Sequence, residues 1–381
     1  MKLPKRVNVL FENEKTPGIL LILCTVVSLL LSNTAFSNIY THFWHTELFH
    51  NSVEFWINDA LMAVFFLLIG LELKTEILQG QLANIKNAML PIFGALGGMI
   101  VPAGLFLMFT YGTTAQSGAG IPMATDIAFA LGILALLGNR VPISLKVFLT
   151  ALAVIDDLGA ILIIAFFYTK TIIFTNLFLS LGIFVVLLLL NKFKVKNLIP
   201  YLIGGIGMWY FMLHSGVHAT ITGVLLAFTI PIGGTETESP LFRLQHFLHK
   251  PVSFVILPLF ALANTAIILG SGFGSMLSQN YSLGIIFGLV AGKPIGIFLL
   301  TYVAAALGIC KLPNDLSWKS IIGVGFLGGI GFTMSIFITL LAFDDQNIIS
   351  NAKFTILLSS LVAGILGFVL LQLVLKKETA D

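Results

Sequence analysis

Charge is scarce in this chain. Its 381 residues include 20 Lys and Arg and 17 Asp and Glu, a charged fraction of 10%, where a soluble domain carries about a quarter. A water-soluble globular fold is excluded on that ground. Cysteine is scarcer still. Cys24 and Cys310 both sit in or beside apolar stretches, which leaves no basis for a disulfide framework or a cysteine-rich metal cluster. The formal net charge of +3 comes without any basic run, so a nucleic-acid-binding arm is excluded as well.

What the chain has instead is apolar side chains: 57% of residues, with a mean hydropathy of +1.02. Stretches near the roughly 20 residues that cross a bilayer as a helix recur along its length. They place spans at 17–32, 58–78, 88–110, 119–138, 144–168, 173–190, 198–213, 217–231, 247–269, 283–308, 320–342 and 351–375. The fold class is therefore an all-α polytopic membrane protein of about 12 transmembrane helices, a single integral membrane domain over residues 1–381 surrounded by lipid. The opening "MKLPKRVNVL" and the following "ILLILCTVVSLLLSNTAFS" also have the composition of a signal peptide. The same features describe a first span, and the rest of the chain is membrane-embedded in any case.

Orientation follows from the basic residues. With a cytoplasmic N-terminus, seventeen of the twenty Lys and Arg fall on the cytoplasmic side, only Lys170 and Lys353 fall outside, and Lys293 lies within a span. This is the bias of the positive-inside rule, and it also tests the span count, because one missed helix would invert every later loop. Both termini are placed in the cytoplasm.

A charged side chain at the bilayer centre costs about 2.5–3.5 kcal/mol on insertion scales, so each is a functional candidate. Asp126, Asp156, Asp157 and Lys293 qualify, while Asp59, His214 and His218 lie nearer span ends. One buried Asp can do no more than tie helices together by hydrogen bonds. Three acids and a lysine exceed that role. Asp156 and Asp157 sit side by side in "ALAVIDDLGAILIIA", and consecutive helical residues point about 100° apart. One carboxylate can then face a wet cavity while the other faces a neighbouring helix, where Lys293 is the available cation. A proton and a hard metal cation compete for the same carboxylate oxygens, so that loading one expels the other. That is the chemistry of an antiporter.

Two spans look broken. In "GTTAQSGAGIPMATDIAFALG", Gly118, Gly120 and Pro122 stand just ahead of Thr125 and Asp126. In "GVGFLGGIGFTMSIFI", Gly323, Gly325, Gly328, Gly329 and Gly331 precede Thr333 and Ser335. Glycine and proline weaken helices, and half-helix ends leave positive N-termini and negative C-termini inside the membrane. Asp126 would balance the first kind and Lys293 the second. Close packing of small residues is the competing explanation of the glycines.

These segments are similar to those of the NhaA-type sodium/proton antiporters. The resemblance rests on "WINDALMAVFFLLIGLELKTE" (56–76), "ATDIAFALGILALLGNRVPISLKVFLTALAVIDDLGAILIIAFFYT" (124–169), "HSGVHATITGVLLAF" (214–228), "ILPLFALANT" (256–265), "AGKPIGIF" (291–298) and "GGIGFTMSIFI" (328–338), which cover nearly the whole chain in family order. It implies an inverted-repeat fold with two discontinuous crossing helices, the repeats running approximately over 88–168 and 283–375. The rule linking paired broken helices to such transporters has this family as one of its own examples, so the agreement is not independent.

The resemblance further implies electrogenic exchange of sodium or lithium for protons across a bacterial inner membrane. No enzymatic reaction and no cofactor are implied, only the transported Na+, Li+ and H+. By the matching motifs, Asp157 would be the main cation-binding carboxylate and proton carrier. Asp156 would assist it and pair with Lys293 in one state, and Thr125 and Asp126 would line the crossing. Sodium or lithium would bind at Asp157 and Asp156, and Gly328, Gly329 and Gly331 would be the glycines of the broken helix. Such proteins form homodimers through an extracytoplasmic hairpin, here within 38–55, and tune activity by pH through groups at the cytoplasmic ends of two helices, here Glu72, Glu76, His246 and His249. The chain departs from the family pattern at Thr75, where a basic residue is expected, and at Gln245, where an acid is expected.

Three other readings were weighed. His214 and His218 have the i, i+4 spacing of a zinc pair but lack further ligands. An intramembrane aspartyl protease needs two facing carboxylates, and the chain lacks a Gly-x-Gly-Asp element. A sodium-coupled organic-solute symporter needs a sizeable substrate cavity.

Overall fold

In a computed structural model of the chain, residues 15–169, 171–233, 239–268 and 273–375 are described. Of the basic residues used for orientation, Lys2, Lys5, Arg6, Lys170, Lys376 and Lys377 lie outside them. Among the described residues the regular structure is helical except for one minimal hairpin. In order, it contains α1 (Thr16–Ser32), α2 (Ser37–His45), β1 (Glu47–Leu48), β2 (Asn51–Ser52), α3 (Val53–Trp56) and α4 (Met62–Leu78), the last two joined by a π-helical stretch, Ile57–Leu61. Then come α5 (Ile85–Thr110), a 3-10 helix (Thr114–Met123), α6 (Ile127–Leu136), α7 (Ile143–Phe167), α8 (Phe174–Lys192), α9 (Ile199–Leu213) and α10 (Ile221–Thr229). The rest comprises α11 (Pro240–Pro251), α12 (Leu257–Asn264), α13 (Phe273–Leu277), α14 (Asn280–Ile286), α15 (Lys293–Ala306), α16 (Trp318–Gly328), α17 (Phe332–Ala342) and α18 (Gln346–Val374).

Among the described residues, six continuous helical stretches are long and apolar enough to cross a membrane, or up to nine if each of three bent pairs is one span. Two of those pairs are the broken segments. The 3-10 helix meets α6 at 41°, and α16 meets α17 at 48°. The third pair, α1 and α2, turns by 114°. The predicted spans that fall short of that measure are α4 with 17 residues, α9 with 15 and α10 with nine.

Local chemistry explains the ends and the irregularities. Asn84 caps α5 by accepting from Lys86 N, Asp345 caps α18 by accepting from Asn347 N, and Ser317 and Ser320 form a reciprocal capping box on α16. Each satisfies N–H groups that the helix itself leaves unpaired. Two of the three π-helical stretches, Val252–Ile256 and Phe287–Gly292, end two residues before a proline, Pro258 and Pro294. A proline lacks the N–H and crowds the carbonyl four residues back, so the helix widens there. The second stretch delivers Lys293 to its position.

The hairpin corrects part of the expectation for 38–55. Residues Ser37–His45 are helical, with Tyr40 donating to Leu262 O at 2.9 Å and Trp44 buried edge-on against it. These aromatics are one helical turn apart, so helix formation buries both on one face. Only Glu47–Leu48 and Asn51–Ser52 pair, antiparallel in the register Glu47 to Ser52, around Phe49 and His50 with φ of 51° and 67°. Positive φ at both central positions makes a tight turn whose twist suits a two-residue hairpin.

The tightest helix contact is between α5 and α15. A Cβ built on Gly97 would lie 2.0 Å from Gly296 O, and one on Gly296 would lie 2.1 Å from Gly97 O. The two backbones touch, as small residues permit in a membrane. A Cβ built on Gly98, one residue on, would lie 3.6 Å from Lys293 Cδ.

Candidate functional site

The two breaks meet backbone to backbone. Asp126 N donates to Ile330 O at 2.7 Å, so the interrupted residues of one pair hydrogen-bond with those of the other. Asp126 is the N-cap of α6, where Oδ1 accepts from Phe129 N at 3.0 Å. Its Oδ2 accepts from Thr333 N at 3.2 Å and from Thr333 Oγ1 at 2.6 Å, at the start of α17. One buried carboxylate thus faces two helix N-termini, where negative charge is favoured. Ser360 of α18 accepts from Phe332 N, and Ser335 donates to Ile121 O, which closes the crossing on its other sides.

The break between α16 and α17 spans Gly329–Gly331. Gly329 and Gly331 have φ of -72° and -87°, so neither uses the left-handed region. Space is what demands glycine: a Cβ on Gly329 would lie 2.3 Å from Leu289 O. The broken helix and the small-residue packing are one feature here.

Lys293 reaches the crossing from α15. Its Nζ lies 2.5 Å from Asp156 Oδ2 and 3.0 Å from Thr125 Oγ1, and the Lys293 and Asp156 side chains are both 0% exposed. Thr125 Oγ1 is also 2.9 Å from Asp156 Oδ2 and 2.8 Å from Gly328 O, the last carbonyl of α16. Lys293 therefore meets the end of α16 through the Thr125 hydroxyl rather than directly. Asp156 Oδ2 is fully engaged, whereas Asp156 Oδ1 and Asp157 Oδ1 are buried and have no hydrogen-bond partner among the described residues. Asp157 follows Asp156 on α7 and is itself 2% exposed. Buried polar atoms left unpaired are expensive, and in native structures they point to a role.

Asp126, Asp156, Asp157, Thr125 and Lys293 are thus brought to one place, with Gly328 at its edge. The other residues expected to matter are not gathered in the same way. α4 and α11 meet through a neutral hydrogen bond, Thr75 Oγ1 to Gln245 Oε1 at 3.2 Å, so the two departures from the family pattern face each other. His246 and His249 lie on the exposed side of α11, and Glu72 is partly buried on α4. His214 Nδ1 contacts Tyr210 O and His218 Nε2 contacts Tyr168 O. Among the described residues, no three His, Cys, Asp or Glu side chains converge as a metal-ligand group.

Several residues that complete the site drew no notice as site residues in the sequence. Thr333 and Ser360 are hydroxyls in apolar helices, a common occurrence that carries no signal alone. Lys74, which counts toward the cytoplasmic charge bias, is 7% exposed, and its Nζ donates to Phe228 O at 2.7 Å and Ile230 O at 2.6 Å, at the end of α10. A lysine at a helix C-terminus satisfies carbonyls the short helix leaves open.

The comparison with known proteins agrees with this architecture. The family described as Na+/H+ antiporter 1 matches residues 8–371. A Na(+)/H(+) antiporter NhaA of Flavobacterium psychrophilum is 69% identical over 371 residues, 97% of each chain. One of Cytophaga hutchinsonii is 57% identical over 381 residues, 100% of this chain and 98% of the relative. One of Aliivibrio salmonicida is 48% identical over 374 residues, covering 97% of this chain and 98% of that one. These relatives are transporters by name rather than enzymes, and with a family match over nearly its whole length the chain belongs to the NhaA Na+/H+ antiporters.

Proposed function

We propose that the protein exports sodium or lithium in exchange for protons, electrogenically, by competition of cation and proton for Asp157 and Asp156. The observation that carries this reading is the pair of buried, unpartnered oxygens, Asp157 Oδ1 and Asp156 Oδ1, beside the crossing of two broken helices. A cation or a proton satisfies these oxygens, and because both compete for the same lone pairs the two loads exclude each other. Lys293 holds Asp156 in position and compensates its charge, and Asp126 compensates the half-helix ends.

The wider reading is a bundle of 12 transmembrane helices in a bacterial inner membrane, with inverted repeats near 88–168 and 283–375 and both termini cytoplasmic. It forms a homodimer through the hairpin, serves pH homeostasis and salt tolerance, and is regulated by pH through Glu72, Glu76, His246 and His249. The positive-inside bias supports the orientation, and the meeting of α4 with α11 at Thr75 and Gln245 supports a regulatory contact there.

The test is sodium-induced dissipation of a pH gradient in everted membrane vesicles, comparing wild type with Asp157→Asn from pH 6.5 to 8.5. Activity in the wild type and none in the variant is the expected result. Equal activity in both would place cation and proton elsewhere.

A further inference from the structure

A second polar cluster joins three segments far apart in the sequence. Lys353, near the start of α18, is 8% exposed. Its Nζ donates to Asn264 Oδ1 at 3.2 Å and stands 4.0 Å from Glu54 Oε1 of α3. Asn264, the last residue of α12, and Asn58, between α3 and α4, exchange side-chain hydrogen bonds of 2.6 Å and 3.3 Å. His45 Nδ1 lies 3.6 Å from the other oxygen of Glu54. The cluster therefore sits at the hairpin end of the molecule.

The helices that carry Asn264 and Thr333 also share a buried aromatic group. Phe337 packs against Phe66 with ring centroids 5.3 Å apart and against Phe260 at 6.4 Å, and all three are buried. Phe337 is one helical turn from Thr333, the partner of Asp126. Phe260 is one turn from Asn264, whose Nδ2 donates to its carbonyl. Along these helices, from Thr333 to Asn264, the packing is thus closed twice, first by rings and then by polar side chains.

Those two closures differ in kind. Packed rings add stability through burial, whereas a buried charge held by polar groups adds little, since well-packed apolar residues serve stability as well or better. What a polar contact near a water-facing end does offer is exchange: its groups can trade each other for water when the helices part. We propose that Lys353 is the latch of the extracytoplasmic gate. It holds α3, α12 and α18 together while the carboxylates face the cytoplasm, and its contacts with Asn264 and Glu54 break each time the site opens outward. This rests on the antiport reading above.

The test places Asn264→Cys and Lys353→Cys in a protein lacking both native cysteines (Cys24→Ser, Cys310→Ser) and joins them with a reducible bifunctional thiol reagent. Sodium-driven dissipation of the pH gradient is measured before linking, after linking and after reduction, alongside wild type. The expected result is an at least tenfold loss on linking that reduction restores, with sodium affinity of the linked protein within threefold of the unlinked. Transport unchanged by linking would overturn the latch alone. Absence of sodium-driven exchange in the wild type would overturn the antiport reading and the latch with it. Should the first pair not accumulate in membranes, Asn58→Cys with Lys353→Cys is read by the same outcomes.

Discussion

Lys293 Nζ lies 2.5 Å from Asp156 Oδ2, with neither side chain exposed. Removing one partner of a buried ion pair strands the other charge, at a cost of about 3–5 kcal/mol. Lys293→Met and Asp156→Asn should each lower the thermal unfolding temperature in detergent. The double variant should be less destabilised than the sum of the two, because neither charge is then left alone. Thermal denaturation of all three against wild type measures the coupling, and strict additivity would mean that the pair is not interacting.

Asp157 should behave oppositely. Its Oδ1 has no partner to lose, so Asp157→Asn relieves a buried charge without breaking a bond. The unfolding temperature should hold or rise while antiport is abolished. A clear fall in stability would show that the carboxylate is a structural tie.

Asp126 accepts from Phe129 N, Thr333 N and Thr333 Oγ1. Asp126→Ala removes an N-cap worth about 0.5–2 kcal/mol and leaves further buried donors unpaired. A loss of about 2–4 kcal/mol is expected, cap and stranded donors together. Thr333→Val should reproduce part of it. Unfolding of the two variants and their combination separates the shares.

The α5–α15 seam predicts that Gly97→Ala is not tolerated. The added methyl would sit 2.0 Å from a backbone oxygen that has no side chain to move aside, and overpacking of this kind costs about 1–3 kcal/mol or more. Gly104→Ala, on the same helix with open space around it, is the control. Folded yield and unfolding temperature of the two variants should diverge.

Lys74→Met should loosen α10. The ammonium satisfies carbonyls at the end of a nine-residue helix, and buried acceptors left unpaired cost about 1–3 kcal/mol. Faster amide exchange confined to residues 221–230 is the expected signature.

How legible this molecule is from its sequence depends on contrast. Asp126, Asp156, Asp157 and Lys293 stand out because their neighbours in the chain are apolar, and the structure gathers them. Thr333 and Ser360 have no such contrast, since hydroxyls occur throughout apolar helices. Lys74 misled for the same reason in reverse: near the end of a span a lysine looks like an ordinary loop charge, and only the three-dimensional position of α10 reveals its burial. The hairpin was half legible. Aromatic and β-branched residues across 38–55 suit strands, but Tyr40 and Trp44 at helical spacing found a buried face first. The span count rests on apolar length, and the span read at 217–231 holds only the nine-residue α10, because an apolar run does not fix where helix begins and ends.

The rings of Phe66, Phe337 and Phe260 also have an electrical consequence. Across a membrane the voltage falls mainly where water is absent, and moving one elementary charge through the full drop is worth about 2.3 kcal/mol per 100 mV. A layer one or two side chains thick that excludes water concentrates that drop. On the antiport reading proposed above, an ion on the carboxylates senses little of the voltage until the rings part. On that reading a change in voltage should alter the rate of exchange more than the affinity for sodium.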